Sequence, residues 1–227
     1  TGFMLQVMLG ALFQLMPVAA GANLPWPARL AAAVQVGCTV GALLLSAGFL
    51  FGEARWLGAG GALLGGTLGV FAFAAGWALW RTPARGATVV ALRLAIAWLA
   101  ATVVLGVLMA LARGGWLGAA VLGLSPVHVA VGLAGWGSLL VAGTAYLVVP
   151  MFQLTPAYPA WFSRRYAWAL SAALLLGAAL QGRGWWLPVL LLVAGFCLMT
   201  LDRQRRRHRA KVDVTFHLWR LALVSAL

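Results

Sequence analysis

Acidic residues are almost absent from this 227-residue sequence, which contains three carboxylates, Glu53, Asp202 and Asp213. Charged residues of both signs make up 8% of the chain, and hydrophobic residues make up 64%. A soluble globular chain is about 25% charged and about 45–50% apolar. The composition therefore excludes a soluble domain. The three carboxylates fall between the long apolar segments, whereas proton relays and ion-coupled transport need ionisable groups inside the membrane, so neither activity is favoured.

The sequence also lacks the motifs of common catalytic and metal sites. Its two cysteines, Cys38 and Cys197, lie far apart inside apolar segments and form no Cys-x-x-Cys pair. Buried, unreactive thiols are expected at both positions, and a disulfide framework is excluded. The chain shows no nucleophile–base pair, zinc motif or glycine-rich phosphate loop. A complete catalytic constellation is therefore not predicted.

What the sequence does contain is a series of eight long apolar segments, labelled A to H. Most approach the ~20 residues that a helix needs to cross a bilayer, and all exceed the ~10 alternating residues of a barrel strand. Because backbone polar groups in lipid must be paired within the chain, the predicted fold class is all-α, a polytopic transmembrane bundle of about eight helices. The chain begins and ends inside apolar runs, which predicts that it belongs to a longer protein. The segments are A, Phe3–Ala20; B, Leu30–Phe51; C, Leu57–Trp80; D, Ala87–Ala112; E, Pro126–Val149; F, Tyr166–Gln181; G, Trp186–Leu201; and H, from Phe216 to the end.

The net charge of +13 comes mainly from basic residues in the short connections between these segments. This placement argues against nucleic acid as a partner and instead sets the orientation, because lysine and arginine are enriched in cytoplasmic loops. Eleven of the 16 basic residues follow segments A, C, E and G, and three follow B, D and F. The bias predicts a multi-pass protein of the inner (plasma) membrane with loops 81–85, 151–165 and 202–215 in the cytoplasm.

A weak internal repeat relates the two halves of the chain. A glycine–aromatic pair, a glycine eight residues after it and a proline seven residues further on occur in segment A and again in segment E, with an offset of 133 residues. Four helices return a chain to the side where it started, so the pattern predicts two parallel four-helix repeats, residues 1–112 and 113–227, in one membrane domain. Repeats of this kind often hold a site at their interface. The repeated positions are Gly2, Phe3, Gly10 and Pro17, and Gly135, Trp136, Gly143 and Pro150.

Glycines spaced four residues apart occur in segments B and C, at Gly37 and Gly41 and at Gly61, Gly65 and Gly69. Small residues at this spacing allow two membrane helices to approach closely. We expect both rows to be packing surfaces.

His128 is the one histidine in the outer part of a predicted membrane helix. Ser125 as N-cap and Pro126 at the first helical position are expected to start that helix. Two interpretations of His128 stay open. It bonds the free amides of the first turn as an interfacial residue, or it ligates a metal ion or haem iron, since neutral imidazole is a common ligand of both. The repeat offset of 133 residues places a second histidine ligand before Thr1. His217 is not expected to be that ligand, because it lies at the opposite end of the bundle.

Arg93 and Arg220 align in the repeat and lie about one turn or more inside segments D and H at the cytoplasmic end. An arginine within a membrane helix is a candidate functional residue. Segments A and E end at the same face and expose carbonyl groups there. The alternative is therefore that both arginines cap helix ends, in which case we expect them to behave alike.

The order of a histidine near a helix start, then Gly-aromatic, Gly and Pro, carries a family resemblance. The stretches TGFMLQVMLGALFQLMPVAAG and HVAVGLAGWGSLLVAGTAYLVVPMF resemble the NnrS family of membrane haem proteins and, more distantly, the subunit I superfamily of haem-copper oxidases. The resemblance implies a b-type haem, with or without copper, near the outer side of a helical bundle, with His128 as an axial ligand. It also implies electron transfer, or the handling of nitric oxide or metal. Haem-copper oxidases use several histidines as ligands, whereas this chain offers one candidate ligand, His128. Oxygen reduction is therefore not predicted.

Two other classes of function remain as alternatives. A transporter built from parallel repeats would need a polar cavity near the midplane, for which the sequence offers scattered groups such as Gln6, Gln14, Gln35 and Thr144. A non-catalytic scaffold subunit of a larger membrane complex would explain the shortage of reactive groups. The expected partners are the lipid bilayer and either other membrane subunits or further copies of the chain.

Overall fold

A computed structural model describes residues 2–180, 184, 186–208 and 214–227, and these residues form eight helices. Six of the helices are long and apolar enough to cross a membrane. The other two are α6, whose first turns carry Arg164 and Arg165, and α8, which has 12 residues. The all-helical, multi-pass membrane fold expected from the composition is confirmed. The helices are α1, Phe3–Ala20; α2, Pro27–Phe51; α3, Ala54–Arg81; α4, Ala87–Arg113; α5, Ala119–Gln153; α6, Ala160–Leu180; α7, Trp186–Arg205; and α8, Val214–Ser225.

Several helices extend beyond their apolar segments into the flanking polar sequence. The helix α6 begins at Ala160, so the predicted loop 151–165 is reduced to residues 154–159. The helix α7 continues to Arg205, which places Asp202 in a helix and corrects its assignment to a loop. Basic side chains in the last turn of α7 favour this extension, because cations stabilise the negative end of a helix dipole. Apolar length therefore marks the lipid-facing part of each helix, and charge at the ends decides how far the helix continues.

The glycine rows bring α2, α3 and α4 into close contact. A methyl group at Gly37 would collide with the side chain of Thr67, and one at Gly41 would collide with Leu64. On the other face of α3, Gly61 packs against Ala110 and Gly65 against Val107 of α4 in the same way. The predicted packing role is confirmed for these four glycines. It is wrong for Gly69, which has open space beside it.

The helix α4 occupies the centre of the bundle. It packs along α3 on one side and along most of α5 on the other, and it also contacts α1 and α6. Its fully buried side chains include Leu92, Ala95, Ile96 and Leu99. The helix α4 therefore contributes to the surroundings of most of the residues described below.

The ends of α1 and α5 share one feature at the offset of the predicted repeat. Each helix has a proline in its last turns, Pro17 or Pro150, and each ends at a residue in the left-handed conformation, Gly21 with φ +63° or Leu154 with φ +51°. The packing around the two helices differs, because α2 to α4 pack closely whereas α6, α7 and α8 touch over shorter stretches. The parallel repeat and its division at residues 112 and 113 therefore stay a prediction.

Candidate functional site

The N-terminal part of α5 places His128 beside α4. Residues Ala119–Leu124 form a 3₁₀-helix that runs directly into the α-helical turn Ser125–Ala130. The expected N-cap role of Ser125 is wrong, because its hydroxyl donates to the Leu122 carbonyl at 2.6 Å. The preceding 3₁₀ turn has already begun the helix at that point. His128 is thus held inside a continuous helical segment.

A stretch of π-helix follows His128 immediately, at Val131–Ser138. Its glycines let α5 approach α4 closely, since a methyl group at Gly135 would lie 2.9 Å from the Trp98 ring and one at Gly132 would lie 3.3 Å from Thr102. The indole nitrogen of Trp98 in turn donates to the Ser171 hydroxyl of α6 at 3.0 Å. Short π segments inside α-helices occur frequently at functional sites. This segment fixes the position of the His128 turn against α4.

The imidazole of His128 lies over a gap in the side chains of α4. A methyl group at Gly106 would lie 3.2 Å from the His128 Cε1 atom, so only glycine leaves room for the ring without displacement. The Nδ1 atom is buried and has no hydrogen-bond partner. The backbone of Thr102, one turn earlier on α4, lies beside the ring but outside normal hydrogen-bond geometry. The ring is therefore positioned by packing, and its Nδ1 atom is not used by the fold.

A half-open cavity of about 300 Å³ adjoins this ring and is lined by residues of α1 to α5. Its walls are almost wholly aliphatic and aromatic, and Trp136 of the π segment closes one side. Ligand pockets in proteins have volumes of roughly 300–1,000 Å³, with a few polar groups that orient the ligand. Here the titratable side chains in the wall are His128 and Arg113, and Met109 adds a thioether. The Arg113 guanidinium, at the C-terminal end of α4, lies 5.7 Å from the centre of the Phe49 ring.

The described part of the chain contains no cluster of metal-ligating side chains, and His128 is the single histidine in the cavity wall. Within residues 2–180, 184, 186–208 and 214–227, no group of three or more His, Cys, Asp or Glu side chains lies close enough to hold an ion. One imidazole in an apolar cavity suits a cofactor that brings most of its own ligands. It also suits a small apolar molecule with one hydrogen-bonding atom.

Arg93 caps a helix end, as one of its two interpretations predicts. Its Nε and Nη2 atoms donate to the Leu79 carbonyl at 3.0 and 2.9 Å, and Nη2 also donates to the carbonyls of Thr82 and Ala84. These carbonyls lie at the end of α3, so the expectation that α1 would supply them is wrong. The α1 end is instead capped by the Thr82 hydroxyl, which donates to the Ala20 carbonyl at 2.5 Å. Arg93 therefore stabilises a junction between α1, α3 and α4.

Arg220 and His217 occupy different surroundings on α8. Arg220 is exposed and its guanidinium lies 5.6 Å from the centre of the Phe216 ring. His217 is also exposed, with its ring edge-on to Phe216. Neither residue lines the cavity beside His128. The expectation that Arg93 and Arg220 share one role is not met by these contacts.

The scattered amide groups of α1 and α2 bond to one another. Gln35 donates to the Gln6 side-chain oxygen at 2.5 Å, and Gln6 donates to the Thr39 hydroxyl at 3.2 Å, on an exposed face. The Thr144 hydroxyl donates to the Leu140 carbonyl of its own helix at 2.8 Å. These groups do not line the cavity described above. They offer no particular support for a transporter.

Comparison of the chain with protein-family models, with curated proteins and with solved structures gives no match. The family resemblance stays a prediction that rests on its sequence pattern. The site itself contains residues that the sequence pattern did not single out, namely Thr102, Gly106, Met109 and Arg113. Their signal in the sequence is their spacing along α4, where Thr102, Gly106, Met109 and Arg113 follow one another every three or four residues on one helix face.

Proposed function

We propose that this chain is an integral membrane haem-binding protein with His128 as an axial ligand of a b-type haem. The observation that carries the proposal is the His128 imidazole, whose Nδ1 has no bonding partner, placed in the wall of a half-open apolar cavity lined by α1 to α5. A buried polar atom without a partner is unusual in a folded protein and calls for an explanation. A cofactor that engages the imidazole would supply one.

The residues around the cavity fit such a group. Histidines that ligate a metal commonly donate their second ring N–H to a backbone carbonyl. The Thr102 backbone lies beside the His128 ring and would supply that acceptor once the haem orients the ring. Arg113 is a partner of the right charge for a haem carboxylate, and the aliphatic walls suit the macrocycle. When bound, the haem would supply an iron centre able to exchange one electron or to bind a diatomic gas.

The chain's own contribution would be to hold the ring and to exclude water. The π segment and Gly106 fix the imidazole against α4, and Trp136 and the leucines of α2, α3 and α4 keep the surroundings apolar. Low polarity and the identity of the axial ligand are two of the means by which proteins set the properties of a haem. These features favour electron transfer or gas binding over hydrolytic chemistry.

The second axial ligand has two sources in this proposal. The repeat predicts a histidine before Thr1. The cavity wall also offers the Met109 thioether, and a His–Met pair is an established axial ligation of haem proteins. Copper is left out of the proposal, because among the described residues His128 is the one histidine that lines the cavity.

Filling the cavity gives a first test. Gly106→Leu adds a side chain where even a methyl group would lie 3.2 Å from the His128 ring, so we expect the haem content of the purified protein to fall at least fivefold. The matched control is Gly66→Leu on α3, where the added group meets open space and haem content should not change. Haem content is measured by the pyridine haemochrome assay. Equal haem content in the two variants would contradict a haem at this cavity.

We further propose that the basic end of the bundle faces the cytoplasm and that the membrane is the inner membrane. Positive loop charge sets membrane orientation, and the arginines of α6 and α7 lie at that end. Ala157→Cys, at an exposed position of the loop 154–159, should react with an impermeant maleimide only after cells are permeabilised. Gly118→Cys, at the opposite end, should react in intact cells. Both native cysteines are buried and give little background, and the reverse pattern of labelling would contradict the orientation.

A further inference from the structure

The basic end of the bundle contains a second group of buried polar side chains, far from His128. It lies between α5, the loop 154–159, α6 and α7, and we call it the tyrosine cluster: Tyr146, Tyr158, Tyr166, Arg203 and Gln204. Tyr146 and His128 are 18 residues apart on α5, about 27 Å at the rise of an α-helix. The cluster is therefore separate from the proposed haem site.

Aromatic contacts hold the cluster together. Tyr146 packs edge-on against Tyr158 with ring centres 5.0 Å apart, and Tyr158 stacks on Phe196 of α7 at 6.4 Å. Tyr166 of α6 contacts the same phenylalanine at 5.5 Å. Tyr158 and Tyr166 thus share Phe196 as a neighbour, and Tyr146 joins them through Tyr158.

Two hydrogen bonds within this region are complete. The Tyr158 hydroxyl donates to Thr200 Oγ1 at 2.9 Å, and the Gln204 amide nitrogen donates to the Gln153 side-chain oxygen at 2.9 Å. Burial raises the pKa of Tyr158 to about 12, so its phenol stays protonated at neutral pH and remains a donor. These pairs explain why Tyr158, Thr200 and Gln153 can be buried.

The remaining polar atoms of the cluster are buried without partners. They are Tyr146 Oη, Tyr166 Oη, Arg203 Nε and Gln204 Oε1. In the part of the chain that the structure describes, five buried side-chain nitrogen or oxygen atoms lack a hydrogen bond, and the fifth is His128 Nδ1. Tyr166 and Gln204 are only 3% and 2% exposed. Since buried polar groups are normally bonded, four such atoms on the adjoining helices α5, α6 and α7 indicate a polar ligand.

The chemistry of the four atoms indicates which ligand. Three of them are donors, two phenolic O–H groups and one guanidinium N–H. Arg203 uses Nη2 to bond Asp202, which leaves Nε for another acceptor. Arg205, Arg206 and Arg207 keep the surroundings positive, with Asp202 as the one acid in α7. Guanidinium and hydroxyl donors together form strong, charge-assisted bonds to oxyanions.

We propose that the tyrosine cluster binds a phosphate-type oxyanion through Arg203 Nε and the hydroxyls of Tyr146 and Tyr166. Gln204 Oε1, the acceptor of the set, accepts a hydrogen bond from a protonated oxygen of the same ligand. The cluster lies near the ends of α5 and α7 and the start of α6. The phosphate therefore comes either from a phospholipid headgroup or from a soluble compound.

The test compares conservative variants in the purified full chain. Thermal unfolding is followed with inorganic phosphate against chloride at equal ionic strength, and phospholipid phosphorus that co-purifies with the protein is quantified. Arg203→Gln should weaken phosphate binding at least tenfold, and Tyr166→Phe and Tyr146→Phe should weaken it severalfold. If the source is a lipid, added phosphate has no effect until lipid is removed. In that case the wild-type protein retains about one phospholipid per chain, and the Arg203→Gln variant does not retain it.

Two controls separate ligand binding from general stability. Thr200→Val removes the acceptor of a complete internal bond, and Arg206→Gln removes an exposed partner of Asp202. Both variants should have a lower or unchanged unfolding temperature, and their phosphate or lipid binding should stay within twofold of the wild type. If Tyr146→Phe and Tyr166→Phe instead raise the unfolding temperature, and no variant alters phosphate or phospholipid binding, the proposal is overturned. A stability loss in these variants without any ligand dependence would also overturn it, because internal water would then be the partner.

Discussion

Replacing His128 by alanine should abolish the b-type haem spectrum of the purified protein or convert it to that of weakly held haem. The substitution removes the imidazole in the cavity wall and leaves aliphatic and aromatic groups, the Met109 thioether and the Arg113 guanidinium. The ring makes no hydrogen bond through Nδ1 and already borders a cavity, so the apoprotein should still fold without it. Haem content should fall at least tenfold, measured by the pyridine haemochrome assay on protein of unchanged yield.

His217→Ala is the matched control. This histidine is exposed on α8 and does not line the cavity, so its replacement should leave the Soret, α and β bands unchanged. Met109→Leu separates the two sources of the second ligand. A shift of the spectrum away from six-coordinate haem indicates the thioether, and an unchanged spectrum indicates a histidine before Thr1. A normal six-coordinate spectrum in His128→Ala would return His128 to its interpretation as an interfacial residue.

Arg93→Ala should destabilise the bundle by about 3 kcal/mol or more. The guanidinium donates to the carbonyls of Leu79, Thr82 and Ala84, and hydrogen bonds to charged groups each contribute roughly 1.5–3 kcal/mol. Water cannot fully replace them, because Arg93 is half-buried at the junction of α1, α3 and α4. Haem content per folded protein should not change, since Arg93 does not line the cavity.

Arg220→Ala provides the comparison for this effect. Arg220 is exposed and its described contact is the Phe216 ring, and substitutions at such surface positions usually change stability by less than about 0.5 kcal/mol. Thermal or denaturant unfolding in detergent gives both values. Equal losses in the two variants would support the repeat-based expectation that both arginines cap helix ends. A loss only in Arg93→Ala supports the contacts seen in the structure.

The helical layout could be predicted because lipid leaves few alternatives. Apolar length alone located all eight helices, since a chain in a bilayer must pair its backbone groups within each segment. The ends were predicted less well. Arg164 and Arg165 were predicted to lie in a loop, but they lie inside α6. Charged residues at the membrane interface can extend a helix without entering the hydrocarbon.

The site was only partly predictable, for a different reason. His128 stands out in the sequence as a lone polar residue in an apolar stretch, and the structure places it in a cavity wall. Gly106 and Thr102 are ordinary residues of an apolar helix until α5 is seen to pack across them. The π-helix at Val131–Ser138 depends on that same tertiary contact, and helical periodicity gave no sign of it. The tyrosine cluster was missed because its residues are far apart in sequence.

The reduced-minus-oxidised absorption spectrum of the purified full-length protein tests the haem proposal most directly. Haem at His128 predicts a Soret band with split α and β bands on reduction, at about one haem per chain. It also predicts that the bands are retained through purification in mild detergent, because His128 would hold the haem in a cavity lined by α1 to α5. Protein that is folded and pure but shows no haem bands in either redox state, and gains none when supplied with haem, would contradict the account.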